Sequence, residues 1–295
     1  MTRTIEYLVP AARDGVALRD ILRRELHISA ALLSDMKRRE GAILLGGVAS
    51  FVNVSVHTGD VLTLSLEDEA ACSEGVKPTA GVLDIAFENE DVLIVSKPTG
   101  MPVHPGQGNY FNSLGNIVVW YFLQKGVRVT YRPVNRLDAG TSGLMAIAKN
   151  AYTHAFLGEQ ISSGALCREY LAVVYGEVLS DEAVIDLPIS RCDGSTIKRE
   201  VSCLGKRAVT HYRTLARANG FSLVKLRLET GRTHQIRVHM AHIGHPLVGD
   251  FLYGTEDGYR LGLHSAYIRV QLPFGAGEIV RESPLPKELA AIINV

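Results

Sequence analysis

A polar loop that runs directly into an apolar segment occupies residues 133–148, PVNRLDAGTSGLMAIA. Arg136 and Asp138 stand two residues apart in it, and small residues and glycines fill positions 139–143. A carboxylate among such neighbours can be held in one orientation, and glycines let a substrate approach the backbone closely. An ordinary polar turn, whose aspartate accepts hydrogen bonds from its own amides, explains the same residues. The loop makes Asp138 a candidate catalytic carboxylate and leaves both interpretations open.

A second polar segment covers residues 229–250, ETGRTHQIRVHMAHIGHPLVGD, and follows an apolar run. Arg232, His234, Gln235 and Arg237 make it too rich in hydrogen-bond donors for an ordinary core segment. Its four histidines raise a metal-dependent hydrolase as one hypothesis. Their spacing matches neither HExxH nor another common zinc pattern, and histidines also cap helices or fill cores. We therefore predict no metal site.

The composition is that of a folded protein without a targeting or membrane segment. The 295 residues are 46% hydrophobic, enough for one large core and one small core. No apolar run reaches the length of a signal peptide or a membrane span, so we expect a cytoplasmic location. Four cysteines without a CxxC pair argue against a zinc knuckle and a disulfide framework. The formal net charge is zero, so any affinity for nucleic acid must come from local basic patches.

The N-terminal part of the chain predicts a small α/β module over residues 1–68. Its expected elements are a strand at 5–9, helices at 16–25 and 29–39, and hairpin-like strands around turns at 46–47 and 58–60. Ser29 can cap the second helix, because its side-chain oxygen can accept from amides of the first turn.

Basic residues gather on the two predicted helices of this module. Those proposed to contact a phosphate backbone are Arg19, Arg23, Lys37 and Arg38. Acidic residues are interleaved with them, so a solvated helix face explains the cluster about as well. Spacing alone does not decide between the two.

A connector is expected at residues 69–81, which lose periodicity and collect acidic and small residues. The remaining residues, 82–295, form the second predicted domain. Its expected elements are strands at 83–88, 92–96, 144–148, 170–174, 208–215 and 223–228, and a helix at 151–162. Because strands outnumber helices and no βαβ alternation is present, the predicted class is α+β with a mixed or antiparallel central sheet.

Four ordered blocks of the chain resemble the RluA family of pseudouridine synthases. The blocks are KPTGMPVHP at 97–105, RLDAGTSGL at 136–144, REYLAVVYG at 168–176 and GRTHQIRVH at 231–239 followed by HPLVGD at 245–250. The helix-helix-strand pattern of the first module is similar to the S4 RNA-binding domain. Two positions depart from the family pattern, since Asn135 replaces the usual histidine and Arg168 the usual lysine.

The resemblance implies an isomerase that needs no cofactor and acts on uridines of a structured RNA. It implies Asp138 as the catalytic carboxylate, Arg232 as its cationic partner and Tyr170 as the ring that stacks on the flipped uracil. Arg136 would fill the space that the flipped nucleotide leaves. Ribosomal RNA is a more probable substrate than transfer RNA by analogy, and a monomer is the default expectation.

A non-catalytic RNA-binding protein that assists RNA folding is the main competing hypothesis. It predicts that replacement of Asp138 leaves function intact, whereas the enzyme hypothesis predicts loss of product with RNA binding largely retained. The metal-dependent hydrolase predicts stoichiometric zinc.

Overall fold

A computed structural model describes residues 3–66, 75–106 and 108–294. The helices are α1 (Leu18–Asp20, continuing as a π-helical turn over Ile21–Glu25), α2 (Ala30–Met36), α3 (Leu114–Gln124), α4 (Ala151–Ser163), α5 (Gln235–His242) and α6 (Lys287–Ile293). The first strands are β1 (Thr4–Leu8), β2 (Ile43–Leu45), β3 (Val48–Ala49), β4 (Val61–Ser65), β5 (Asp84–Glu88), β6 (Val92–Lys97), β7 (Arg132–Pro133) and β8 (Ser142–Ala148). The later strands are β9 (Cys167–Tyr175), β10 (Glu182–Asp186), β11 (Ile189–Arg191), β12 (Arg199–Val201), β13 (Val209–Ala218), β14 (Phe221–Leu228), β15 (Leu263–Gln271) and β16 (Glu278–Glu282).

The larger sheet is mixed. Among the described residues its strand order is β10-β13-β14-β9-β15-β8-β6-β5, with β16 paired to β15 and β7 paired to β8. Strands β8 and β15 are parallel, and the other pairs are antiparallel. This arrangement confirms the predicted α+β class with a mixed sheet.

A close approach of two backbones sets the point where the 133–148 loop enters the sheet. Ser142 and Gly143 at the start of β8 pair with His264 and Ser265 of β15. Gly143 has a φ of +105°, and a Cβ built there would lie 2.2 Å from the backbone oxygen of Ser265. Only glycine fits this contact, so the residues just before it are held at one edge of the central strands.

The N-terminal unit has its own sheet and core. Its strand order is β1-β4-β2-β3, so the strand before the helices pairs with a strand that follows them. Side chains from both helices, including Leu18, Leu22 and Met36, are buried against this sheet. Tyr152 of α4 joins the same core, which attaches the small unit to the large one.

The predicted elements of the N-terminal unit are present with shifted ends. Helix α1 begins at Leu18, later than predicted, because Ala17 is still extended and bridges to Ser55. Ser29 caps α2 as predicted, since its side-chain oxygen accepts from the amide of Leu32 at 3.2 Å.

The proposed domain limits remain predictions, because residues 69–74 of the expected connector, with Cys72, and residues 67–68 before it lie outside the described residues. In the parts of the chain that are described, no helix is both long and apolar enough to cross a bilayer.

Candidate active site

The candidate active site is a cleft of about 520 Å³ at one face of the large sheet. Most of its lining comes from three segments: the loop before β8, strand β9 with the end of β14, and the turn before α5. Its charged and polar lining residues include Arg136, Asp138, Arg168, Tyr170 and Arg232. Arg136, Asp138, Tyr170 and Arg232, which the sequence predicted at the catalytic centre, therefore line one cleft. Long stretches of chain separate Tyr170 and Arg232 from the other two.

Asp138 is held by an arginine of α5. Arg237 Nη1 donates to Asp138 Oδ2 at 3.3 Å, while its Nε and Nη2 donate to the two carboxylate oxygens of Asp250 at 2.7 Å each. The Arg237 side chain is 7% exposed and that of Asp250 is fully buried, whereas Asp138 is 28% exposed. The buried Arg237–Asp250 pair therefore presents a fixed guanidinium edge to a carboxylate that still faces the cleft.

The expectation that Arg232 is the partner of Asp138 is wrong in this structure. Arg232 precedes α5, and its Nε donates to the backbone oxygen of Arg207 at 2.9 Å. Arg237 lies in the first turn of α5, where its side chain points inward and is buried. Arg232 still lines the cleft and remains available to a substrate.

Tyr170 lies in β9 between the cleft and the core. It is 4% exposed, pairs with Leu226 of β14 and Ser265 of β15, and belongs to the central hydrophobic cluster. Its ring lines both the main cleft and a smaller cavity of about 60 Å³ beside Asp138. The ring is therefore firmly seated and can offer a flat apolar surface to a base.

The residues around Asp138 alternate between solvent and core. Arg136 is exposed, Leu137 is buried and Asp138 is half-buried. Burial is the main cause of the lowered pKa of the His104 imidazole, and the charge of Arg136 is the second cause. Arg136 therefore lies close to the loop after β6, which carries His104. Arg136 is thus an exposed cation at the mouth of the cleft.

Lys97, at the end of β6, holds the backbone of the loop that carries Asp138. Its Nζ donates to the backbone oxygens of Pro98, Met101 and Ala139 at 2.7–3.0 Å, and the residue is 1% exposed. Burial lowers the pKa of Lys97 to about 8, and the charge of Asp138 opposes that shift. Sequence reasoning gave Lys97 no role, although the KPTG block that contains it was part of the resemblance.

The two departures from the family pattern are accommodated locally. Asn135 is buried, and its Oδ1 accepts from the backbone amide of Ala146 in β8 at 3.2 Å. Arg168 lines the cleft in β9 and keeps a cation at its rim. Asn135 therefore supports the loop, and Arg168 forms part of the cleft lining. Neither residue contacts the Asp138–Arg237 pair in the described structure.

His239 and His245 of the 229–250 segment have separate partners. His239 contacts the Thr210 hydroxyl and the Leu187 backbone oxygen, both at 2.9 Å, and His245 Nδ1 lies 2.9 Å from the Tyr175 backbone oxygen. Over the described ranges, no group of three or more His, Cys, Asp or Glu side chains is arranged to hold a metal ion.

The four basic residues predicted in the N-terminal unit lie on exposed surface. Lys37 and Arg38 line a groove of about 640 Å³ together with Phe51, whose ring is 82% exposed. Arg19 and Arg23 do not line that groove.

Comparisons with known proteins agree with this architecture. Residues 91–242 match the family described as RNA pseudouridylate synthase. An uncharacterized RNA pseudouridine synthase, YhcT of Bacillus subtilis (strain 168), is 35% identical over 291 residues, which cover 97% of this chain and 95% of that protein. Ribosomal large subunit pseudouridine synthase D of Escherichia coli (strain K12) is 36% identical over 250 residues, covering 79% of this chain and 75% of that protein.

A solved structure shares the fold. Human RNA pseudouridylate synthase domain containing 1 superposes with a TM-score of 0.60 at 24% identity, over 72% of this chain and 88% of that chain. The family match and the two relatives above identify the chain as an RNA-modifying isomerase. This chain belongs to the RNA pseudouridine synthase family, which confirms the resemblance found in its four sequence blocks.

Proposed function

We propose that Asp138 is the catalytic carboxylate with which this chain converts uridines of large-subunit ribosomal RNA into pseudouridine. The observation that carries the proposal is the ion pair between Asp138 and Arg237 at the cleft. A carboxylate covered by substrate is driven toward protonation unless a cation balances it. Arg237, fixed by Asp250, supplies a cation beside the Asp138 carboxylate.

The reaction breaks the bond from uracil N1 to ribose C1′, turns the base and joins C5 to C1′. The C5 proton is lost and N1 gains one, so the isomerisation is balanced without a cofactor. Asp138 either attacks C1′ or removes the C2′ proton and later returns it. Both routes use the Asp138 carboxylate as the reacting group, and Arg237 lies beside it.

The other cleft residues bind the displaced nucleotide. Tyr170 stacks on the flipped uracil with its seated ring. Among the described residues that line the cleft, it is the only aromatic one. Arg136, exposed at the mouth, occupies the gap in the RNA helix. Arg232 and Arg168 contact RNA phosphates near the target uridine.

The substrate class rests on the relatives and on the N-terminal unit. Several similar proteins are named ribosomal large subunit pseudouridine synthase D. We assign residues 1–68 to an S4-like RNA-binding domain, 69–81 to a connector and 82–295 to the catalytic domain. Arg19, Arg23, Lys37 and Arg38 would bind the RNA backbone. A cytoplasmic location and a monomeric state are retained as predictions.

Pseudouridine mapping in cells tests this proposal. Ribosomal and transfer RNA from cells lacking the gene are mapped chemically, with the wild-type gene or the Asp138→Asn variant returned. We expect defined sites in large-subunit RNA to vanish and only the wild type to restore them. Sites found in transfer RNA alone would overturn the substrate assignment, and restoration by Asp138→Asn would overturn the role of Asp138.

A further inference from the structure

His234 occupies a strained position beside the catalytic loop. It is the residue before α5 and has φ +57° and ψ +20°, a left-handed conformation that is unfavourable for a residue with a Cβ. Its Nε2 lies 3.9 Å from Asp138 Oδ2, and its Nδ1 lies 2.8 Å from the hydroxyl of Tyr253. The strained backbone therefore places an imidazole between the catalytic carboxylate and a tyrosine that sequence reasoning did not single out.

The hydrogen bonds around Tyr253 fix which ring nitrogen of His234 carries the proton. The Tyr253 hydroxyl accepts from the backbone amide of Arg199 at 2.9 Å. Of the described residues, His234 Nδ1 lies 2.8 Å from this hydroxyl and is in position to accept its proton. Nδ1 then carries no hydrogen, so the neutral ring has its proton on Nε2, directed toward Asp138. The opposite tautomer would turn a lone pair toward the carboxylate.

Tyr253 also supports the second cation of the site. The Arg237 guanidinium carbon lies 5.1 Å from the centre of the Tyr253 ring, within range of a cation–π contact. The Tyr253 amide donates to Asp250, which holds Arg237. Tyr253 therefore contacts both His234 and Arg237, the two groups that face Asp138. Its hydroxyl is also bonded to strand β12 through the backbone amide of Arg199.

We propose that His234 and Tyr253 are positioning residues, in which the Tyr253 hydroxyl holds His234 as the Nε2–H tautomer so that this N–H restrains the Asp138 carboxylate. The proposal rests on the catalytic role of Asp138 proposed above.

Protonation in the site agrees with this arrangement. The groups that face His234 are Asp138, Arg237, Asp250 and Arg199, besides Tyr253. Burial lowers the pKa of His234, so the ring is neutral near pH 7. Burial raises the pKa of Tyr253, so its hydroxyl keeps the proton that it donates.

The tautomer is read directly by NMR of the full chain labelled with ¹⁵N-histidine. Long-range ¹H–¹⁵N spectra distinguish protonated from bare ring nitrogens, and His234→Asn identifies the resonances of this residue among the ten histidines. We expect a bare Nδ1 and a protonated Nε2 at pH 7, and a mixture of tautomers in Tyr253→Phe. A protonated Nδ1 in the wild type, or an unchanged spectrum in Tyr253→Phe, would overturn the proposal.

Kinetics test the consequence for catalysis. In Tyr253→Phe we expect kcat to fall roughly tenfold, about the contribution of one hydrogen bond, with KM for RNA within about twofold. His234→Asn should lose at least as much, although asparagine suits the left-handed backbone. Tyr259→Phe is the matched control, because it removes a hydroxyl from an exposed tyrosine of the same connection. A wild-type kcat in Tyr253→Phe would contradict the proposal.

The Asp138→Asn variant separates this inference from the proposed function. Loss of product in Asp138→Asn together with a wild-type kcat in Tyr253→Phe overturns only the positioning role. Full product formation by Asp138→Asn overturns the catalytic role of Asp138, whatever the tautomer of His234.

Discussion

Lys97 Nζ lies 3.0 Å from the backbone oxygen of Ala139, the residue that follows Asp138 in the chain. One buried ammonium thus joins β6 to the backbone of the catalytic loop. Thr99 reinforces this link, because its hydroxyl donates to the backbone oxygen of Gly140 at 2.7 Å. The position of Asp138 is consequently set by two kinds of contact. Lys97 and Thr99 hold the loop backbone next to it, and Arg237 holds its carboxylate.

Replacement of Lys97 by methionine should loosen the loop. Three backbone oxygens lose their donor in Lys97→Met, and we expect a loss of about 1–3 kcal/mol in the free energy of unfolding. Product formation should fall at least about tenfold, because Asp138 is no longer held. Urea unfolding and single-turnover assays measure the two effects. Lys287→Met, at an exposed position, is the control and should change neither. Wild-type activity in Lys97→Met would refute the role of this contact.

The assignment of Arg237 over Arg232 is tested by matched lysine substitutions. Arg237→Lys should lower kcat about a hundredfold, because one ammonium cannot bond both oxygens of Asp250 and also reach Asp138. Arg232→Lys keeps a charge at the cleft rim and should raise KM for RNA more than it lowers kcat. Single-turnover kinetics separate the two parameters. A larger loss of kcat in Arg232→Lys than in Arg237→Lys would favour the partner expected from the sequence.

That expectation failed for a geometric reason. Arg232 and Arg237 stand in one short block, and linear spacing does not show which of them faces the loop at 133–148. The start of α5 decides it, because Arg232 remains outside the helix while Arg237 turns inward onto Asp250.

Gly143→Ala should destabilise the fold strongly. The new methyl group would collide with the Ser265 backbone oxygen, and the residue would keep a positive φ. We expect a loss of about 3 kcal/mol or more in the free energy of unfolding, measured with urea. Gly158→Ala in α4 is the matched control, since its methyl group meets no atom within 4 Å and should stabilise the helix by about 0.5–1 kcal/mol. Equal stability of the two variants would show that β8 and β15 are not in close contact.

His264 should make stability depend on pH below neutrality. Burial, and next the charge of Arg260, lower the pKa of His264 from 6.5 to about 4. The unfolded chain therefore binds a proton that the folded chain does not, so stability is lost as pH falls from about 6.5 to about 4. The loss is at most about 3 kcal/mol. His264→Gln lacks this titration, and its deficit relative to the wild type should shrink as pH falls. A deficit that is constant between pH 7 and pH 4 would contradict the shift.

The large strands were predictable because β-branched and apolar residues run continuously through them, as in 92–96 and 144–148. Helix α3 carried a local signal that went unused: Ser113 and Asn116 form a reciprocal cap at its start. The contact between Ser142 Oγ and His264 Nδ1 at 2.8 Å could not be predicted, since it joins residues 122 positions apart through a parallel strand pair. Contacts of this kind depend on topology that no local pattern contains.

The catalytic role of Asp138 is tested by release of tritium from large-subunit ribosomal RNA that carries [5-³H]uridine, because each pseudouridine formed frees one C5 hydrogen. The purified wild-type chain and Asp138→Asn are compared under single-turnover conditions, and RNA binding is measured in parallel. We expect release by the wild type and none by Asp138→Asn, with RNA affinity within about threefold. Tritium release by Asp138→Asn at the wild-type rate would contradict the central claim.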